Sequence, residues 1–279
     1  MRSSYNSIRL AVLVGICGGV SRIDDSDVFL GDVIVSRLIT QYDYGRHYPG
    51  HFSVKDTLED SLARAKKDIR ALLAAFETEL MRERLQDEAS AHLKHLQQAA
   101  SRKRRSANHQ YAGAVNESLY RAEYIHKHRN SFPTGVCDID GPSFCQLASK
   151  ASCTEAGCDP AELIVRPRHE DTPDFRPEIF FGRIGSGNTV VRGAWTRDRT
   201  ATQHDLIALE MESAGTWDEF PCIVVKEPCD YADSHKNKIW QNFAAATAAS
   251  VTKAILGRCA VRDGDRDPAG KTSSKIQPL

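Results

Sequence analysis

Ile8-Arg9-Leu10-Ala11-Val12-Leu13-Val14-Gly15-Ile16-Cys17-Gly18-Gly19 decides how this chain is read. The first half is a nearly continuous aliphatic and β-branched run. Such runs mark strands buried on both faces, in sheets covered by helices. The second half is rich in glycine. Gly15, Gly18 and Gly19 lack a Cβ, so backbone can approach a ligand there and turn its N–H groups inward as an anion nest. The expectation is a strand followed by a phosphate- or water-binding turn.

Working outward, residues 32–36 (Asp-Val-Ile-Val-Ser) follow a turn at Leu30-Gly31 and read as a second strand. From His51 to Ala112 there is neither Gly nor Pro, and Ala, Leu, Glu, Lys and Arg dominate, so helix is expected. Ile69, Leu72, Leu73, Phe76 and Leu80 recur at helical spacing and form one apolar face. Residues 85–100 offer a thinner face, Leu93 and Leu96, and read as part of a solvated helical insertion at about 55–112. Residues 130–177 are rich in Pro, Gly, Ser and Cys without periodicity, an irregular connection. Strands are expected at 179–184, before a turn at 185–188, and at 206–209 and 222–225; a helix is expected at 240–256. Residues 258–279 read as a disordered tail. The order implies an α/β domain over residues 1–257, three-layer α/β/α with a central mixed β-sheet.

Composition narrows the function classes. The 279 residues balance 37 Lys+Arg against 37 Asp+Glu, with a mean hydropathy of −0.43. Neither dominant disorder nor a dedicated nucleic-acid binder fits that balance. The apolar stretch 10–20 is about half of the roughly 20 residues a membrane helix needs, and no secretory signal is evident. A cytoplasmic protein without membrane partners is expected. The basic run Arg102-Lys103-Arg104-Arg105 reads as a solvated helix end, with a nuclear-import or phosphate-binding patch as the alternative. Eight cysteines are too few for a disulfide scaffold. Cys153-x4-Cys158 sits at the edge of zinc-ligand spacing and Cys137-x7-Cys145 outside it, so free thiols are the reading even with His126 and His128 nearby. No metal and no cofactor are expected.

Glu210-Met211-Glu212 follows the strand at 206–209. In extended backbone Met211 and Glu212 face opposite ways, so they share a ligand only if the strand bends or ends there. Cys229-Asp230-Tyr231-Ala232-Asp233 likewise follows a strand, the usual place for ligands in α/β sheets.

In this order, 14–20, 30–36, Ser186-Gly187-Asn188, Glu210-Met211-Glu212-Ser213-Ala214-Gly215 and 229–237 resemble landmarks of the nucleoside phosphorylase and nucleosidase superfamily, in its fungal form. The resemblance covers roughly residues 3–256 and is most specific at Glu-Met-Glu and Asp-x-Ala-Asp. It implies cleavage of a purine N-glycosidic bond in a nucleoside or nucleotide, through an oxocarbenium-like state. Asp230 matches the family acid that protonates purine N7. Glu212 matches the carboxylate that grips the ribose hydroxyls, Met211 the apolar floor under the sugar, and Ser186 and Asn188 lie in the substrate-binding turn. Asp233 reads as a loop-ordering residue, while His235 and Lys236 are placed to meet a nucleotide phosphate. The resemblance also implies a homo-oligomer.

The chain departs from the family pattern at three points, one of them the connection 130–168 with Cys137, Cys145, Cys153 and Cys158 and with His126 and His128 nearby. The strand region that family members carry ahead of the Ile8 run is not in this sequence, which puts the completeness of the site in question. Leu13 and Ile16 stand where bacterial phosphorylases place Arg and Ser or Thr around inorganic phosphate, which favours water as the nucleophile. The rival readings are an inactive ligand-sensing or interaction module on the same fold, and an enzyme recruited to unrelated metabolism.

Overall fold

The computed structural model describes residues 8–55, 57, 62–103, 107–129, 146–166 and 175–264. In chain order the strands and helices are β1 (Ala11–Gly19), β2 (Arg22–Ile23), β3 (Ser26–Asp27), β4 (Val33–Gln41), β5 (Gly45–Tyr48), β6 (His51–Val54), α1 (Lys67–Phe76) and α2 (Glu79–Ser101). They continue with α3 (Cys153–Ala156), β7 (Ile179–Ser186), α4 (Ala194–His204), β8 (Ala208–Glu210), α5 (Ser213–Glu219), β9 (Cys222–Asp230) and α6 (Gln241–Gly264).

The sheet is mixed and helices pack on it, as expected for an α/β domain. It does not form the flat middle layer of a three-layer sandwich: five strands close on themselves in the order β1-β8-β7-β4-β9. The cause lies in β9 and β8. β9 pairs parallel with β1 along its whole length and antiparallel with β4 at Ile34↔Lys226 and Val35↔Val225. Three-residue β8 then joins β7 to β1, and a sheet joined at both ends has no edge.

Alternation along the strands sorts the core. Val33, Val35, Ile223 and Val225 meet Ile69, Leu73 and Phe76 of α1 and Val251 and Ile255 of α6. Ile34, Ile184, Cys222 and Val224 meet Trp217 of α5 on the opposite face. Lys226 shares the parity of Cys222 and Val224, a placement that matters for the site.

Several expectations are corrected. β1 continues through Gly19, so the presumed glycine turn is strand, and Val14 is exposed rather than buried on both faces. The hairpin β5–β6 occupies the start of the stretch read as helix. The helical section breaks at 77–78, where Thr78 Oγ1 donates to the Ala75 carbonyl at 2.8 Å, and the break leaves Leu80 on the surface. α6 runs past Gly257 to Gly264. Arg104, Arg105, Cys137, Cys145 and the tail beyond residue 264 lie outside the described residues. Among the described residues, no helix is long and apolar enough to cross a membrane.

Candidate functional site

The site is assembled by the register of β1. Gly18 lies opposite Leu209 of β8 on one side and, across an irregularity in the ladder, opposite Asp230 of β9 on the other. The ends of β8 and β9, with their two acidic motifs, therefore meet at one glycine. A Cβ on Gly18 would sit 2.8 Å from Ala232 Cβ, and one on Gly19 2.8 Å from Pro228 Cβ. On Gly15 it would sit 3.2 Å from Lys226 Nζ. The glycines are spacers that let the chain after β9 close over β1. β1 is paired with β9 and β8, so the anion nest expected of a free glycine turn is not formed there. Gly18→Ala is expected to lower stability by about 1–3 kcal/mol through overpacking against the Ala232 turn, read from the urea midpoint.

β8 ends at Glu210 and α5 begins at Ser213, so the chain turns as it passes Met211 and Glu212. Both line a cleft of about 160 Å³ together with Gly18, Tyr42, Val191 and Lys236. Ser186 and Asn188 line a neighbouring pocket of about 320 Å³, which Met211 also borders. Their polar groups already serve the fold. Ser186 Oγ accepts from the Ala214 N–H at 3.1 Å, and the Asn188 Nδ2 donates to Asp43 Oδ2 at 3.1 Å.

Glu210 points inward. It accepts from the Ser213 hydroxyl at 2.5 Å and from the Glu212 N–H at 3.0 Å, fixing the start of α5. Lys226 Nζ, its side chain 3 % exposed, lies 3.1 Å from Glu210 Oε2 and 2.7 Å from Glu212 Oε2. Burial alone would raise the Glu210 carboxyl, but the Ser213 hydrogen bond and the Lys226 charge hold it below its usual range. Burial would lower Lys226; bonding to Glu212 and the charge of Glu210 instead raise it. Glu212 keeps 58 % of its side chain exposed and faces the cleft mouth.

Asp230 is buried at the end of β9. Its Oδ2 is 2.8 Å from Lys236 Nζ and accepts from the Cys229 thiol at 3.2 Å, while Oδ1 accepts from the Ala232 N–H at 2.9 Å. Lys236 thus pairs with Asp230 while also lining the cleft. Tyr231 anchors the segment: its hydroxyl contacts Glu117 and Arg166, and its carbonyl accepts from Arg197 Nη1 at 2.6 Å. Asp233 orders the turn, its Oδ1 accepting from the His235 N–H at 2.9 Å. His235 is buried away from the cleft, stacked 3.9 Å from the Tyr120 ring, so it is not placed to meet a nucleotide phosphate there.

Sequence reasoning missed Lys226, Tyr42 and Val191. A charged residue inside the apolar run that starts at Cys222 is a signal that would have found Lys226. Nothing local marks the other two.

No family model matches the chain. A nucleotide-binding leucine-rich repeat (NLR)-like protein of Hyaloscypha variabilis is 29% identical over 262 residues, which are 92% of this chain. The chain spans 22% of that curated relative's length. Solved structures to which it is similar include the 5'-methylthioadenosine/S-adenosylhomocysteine nucleosidase of Helicobacter pylori, with TM-score 0.46, 12% identity, and 92% and 72% of the two chains covered. Another is the futalosine hydrolase of Helicobacter pylori strain 26695, with TM-score 0.45, 12% identity, and 92% and 71% covered. The functional reading is built on this chain's own residues.

Proposed function

We propose that the cleft between β1, β8 and β9 binds a purine nucleoside or nucleotide and cleaves its N-glycosidic bond, with water or inorganic phosphate as the nucleophile. The observation that carries the reading is the meeting of the ends of β8 and β9 at Gly18, which puts Glu212 in the cleft wall and Asp230 directly behind Lys236, another wall residue. Breaking the bond puts positive charge on the sugar and negative charge on the departing purine. A proton delivered to N7 relieves the second, and the pair of buried Asp230 and the cleft-lining Lys236 at its Oδ2 is the acid–base group nearest the cleft. Glu212, held from behind by Lys226, keeps an oxygen for ribose hydroxyls, and Met211 supplies apolar surface between the two pockets.

The deciding experiment is base release by the purified chain from adenosine, inosine, guanosine and ATP, with and without phosphate. Release that needs phosphate identifies phosphorolysis; release without it identifies hydrolysis. Glu212→Ala is expected to weaken binding and turnover together, so that kcat/KM falls about 10–100-fold, as for lost hydrogen bonds to charged groups. A large loss in kcat with unchanged KM would assign Glu212 another role.

One observation favours a second reading. Both carboxylates are ion-paired to lysines, and the curated relative is NLR-like. A module that binds the nucleoside without cleaving it fits those facts. Binding by calorimetry with no base released from any of the four compounds would select it.

A further inference from the structure

Cys153 and Cys158 sit at the edge of zinc-ligand spacing, and local backbone brings them together. They bracket the single turn of α3, capped by Ser152 and Glu155 in a reciprocal hydrogen-bonded box. Gly157 then takes a left-handed conformation at φ 72, and the Cys158 N–H returns to the Cys153 carbonyl at 2.9 Å. That closure brings both sulfurs to His126. His126 Nδ1 is 3.2 Å from Cys158 Sγ and 3.9 Å from Cys153 Sγ, and the three ligand atoms lie within 4.8 Å of one another. Zinc bonds of about 2.3 Å to sulfur and 2.0 Å to nitrogen make a tetrahedral S···N edge of roughly 3.5 Å, inside that spread.

The imidazole is set for a ligand's work. Its Nε2 lies 2.9 Å from the Ala148 carbonyl and 3.1 Å from the Ala151 carbonyl. Carbonyls only accept, so Nε2 carries the proton and the Nδ1 lone pair faces the sulfurs, the outer-shell arrangement typical of metal-bound histidines. Arg129 Nη1, 3.8 Å from Cys158 Sγ, adds a positive charge beside the second sulfur. Next to this group His235 Nε2 is buried with no hydrogen-bond partner among the described residues, its ring edge-on to His126 at 5.3 Å between centroids. Asp233 lies 3.8 Å from its other nitrogen.

We propose that His126 Nδ1, Cys153 Sγ and Cys158 Sγ bind a zinc-class divalent cation, with the neighbouring unpartnered Nε2 of His235, which lies outside that 4.8 Å group, closing onto the cation as the fourth ligand. Binding displaces the thiol protons to solvent and leaves a neutral centre of two thiolates, two imidazoles and one dication. The site is structural. His126 is already tied to the segment after Asp230 through its N–H to Ser234 Oγ at 2.9 Å, and the cation clips 126–158 to residues 234–235. The site stands apart from the cleft and does not depend on the nucleosidase reading.

The test is elemental analysis of the full chain purified without chelator, then mercurial release with a colorimetric zinc indicator. The expected result is about one zinc per chain, released as the thiols react. Cys153→Ser and Cys158→Ser should each reduce zinc affinity by more than the roughly 10–100-fold that loss of an outer-shell partner costs. Cobalt-substituted protein should show the visible bands of a tetrahedral centre with two sulfurs, shifted in His235→Gln; an unshifted spectrum removes His235 from the ligand set. The wild-type chain provides a test that no folding defect can confuse. Absence of zinc, together with a thermal transition unmoved by added zinc, overturns the proposal. So does peptide mapping that finds a Cys153–Cys158 disulfide in protein that takes up no zinc.

Discussion

Asp230→Asn is expected to lower kcat by about 10²–10⁴-fold while KM changes little. The substitution keeps the side-chain shape and the Oδ1 that accepts from Ala232 at 2.9 Å, so the turn after β9 should hold. It removes the carboxyl group that can exchange a proton across the 2.8 Å contact with cleft-lining Lys236. A ground-state complex needs no proton transfer at N7, whereas the bond-breaking step does, and the loss should therefore concentrate in turnover. Single-turnover base release, measured beside nucleoside binding by calorimetry, separates the two. Equal losses in binding and turnover would reject the acid role and leave Asp230 as the turn's anchor.

Lys226→Met is expected to cost about 3–5 kcal/mol of folding stability, the usual consequence of removing one partner from a buried ion pair. The Glu210 carboxylate would stay inside the protein with Ser213 and the Glu212 N–H but without its counter-charge. The double variant Lys226→Met/Glu210→Gln should recover much of that loss, because the stranded charge goes with the lysine. The pH dependence has a definite sign. Glu210 is held below its ordinary value, so its contribution is present above the unfolded carboxylate value of roughly 4.3 and is lost as pH falls through the folded one. Lys226 is raised, so its contribution is present below roughly 10.4 and is lost as pH rises through the folded value. The gap between wild type and Lys226→Met should therefore be widest near neutrality and shrink in strong acid. Urea denaturation at the two pH values checks this; a gap that widens in acid would show that the pair is not what Lys226 contributes.

What the sequence makes legible here is whatever depends on near neighbours. The amphipathic face of α1 reads directly from Ile69, Leu72, Leu73 and Phe76, all buried. The requirement that the chain bend for Met211 and Glu212 to share a ligand follows from strand geometry, and the chain does turn there. Closure of the sheet is not legible, because it depends on β9 finding β4 as well as β1 across nearly two hundred residues. The extension of β1 through three glycines is hidden for a related reason. Local chemistry favours a turn, and only the Ala232 and Pro228 side chains pressing from β9 and the loop after it show why the glycines are there. Cys153 and Cys158 illustrate a third case, in which a left-handed glycine makes a wide sequence spacing converge.

The closed sheet also governs how this protein can meet others. Strand addition needs an open row of backbone N–H and C=O groups. Each strand of the ring has a neighbour on both sides over part of its length, with β1 meeting β8 and β9 meeting β4 at two residue pairs each. Among the described residues, the outlying hairpin β5–β6 is the longest pair of strands outside that ring, and it begins three residues after Tyr42 of the cleft wall. Strand addition, whether by a second copy or by another part of a longer protein, is expected at that ribbon, which adjoins the cleft.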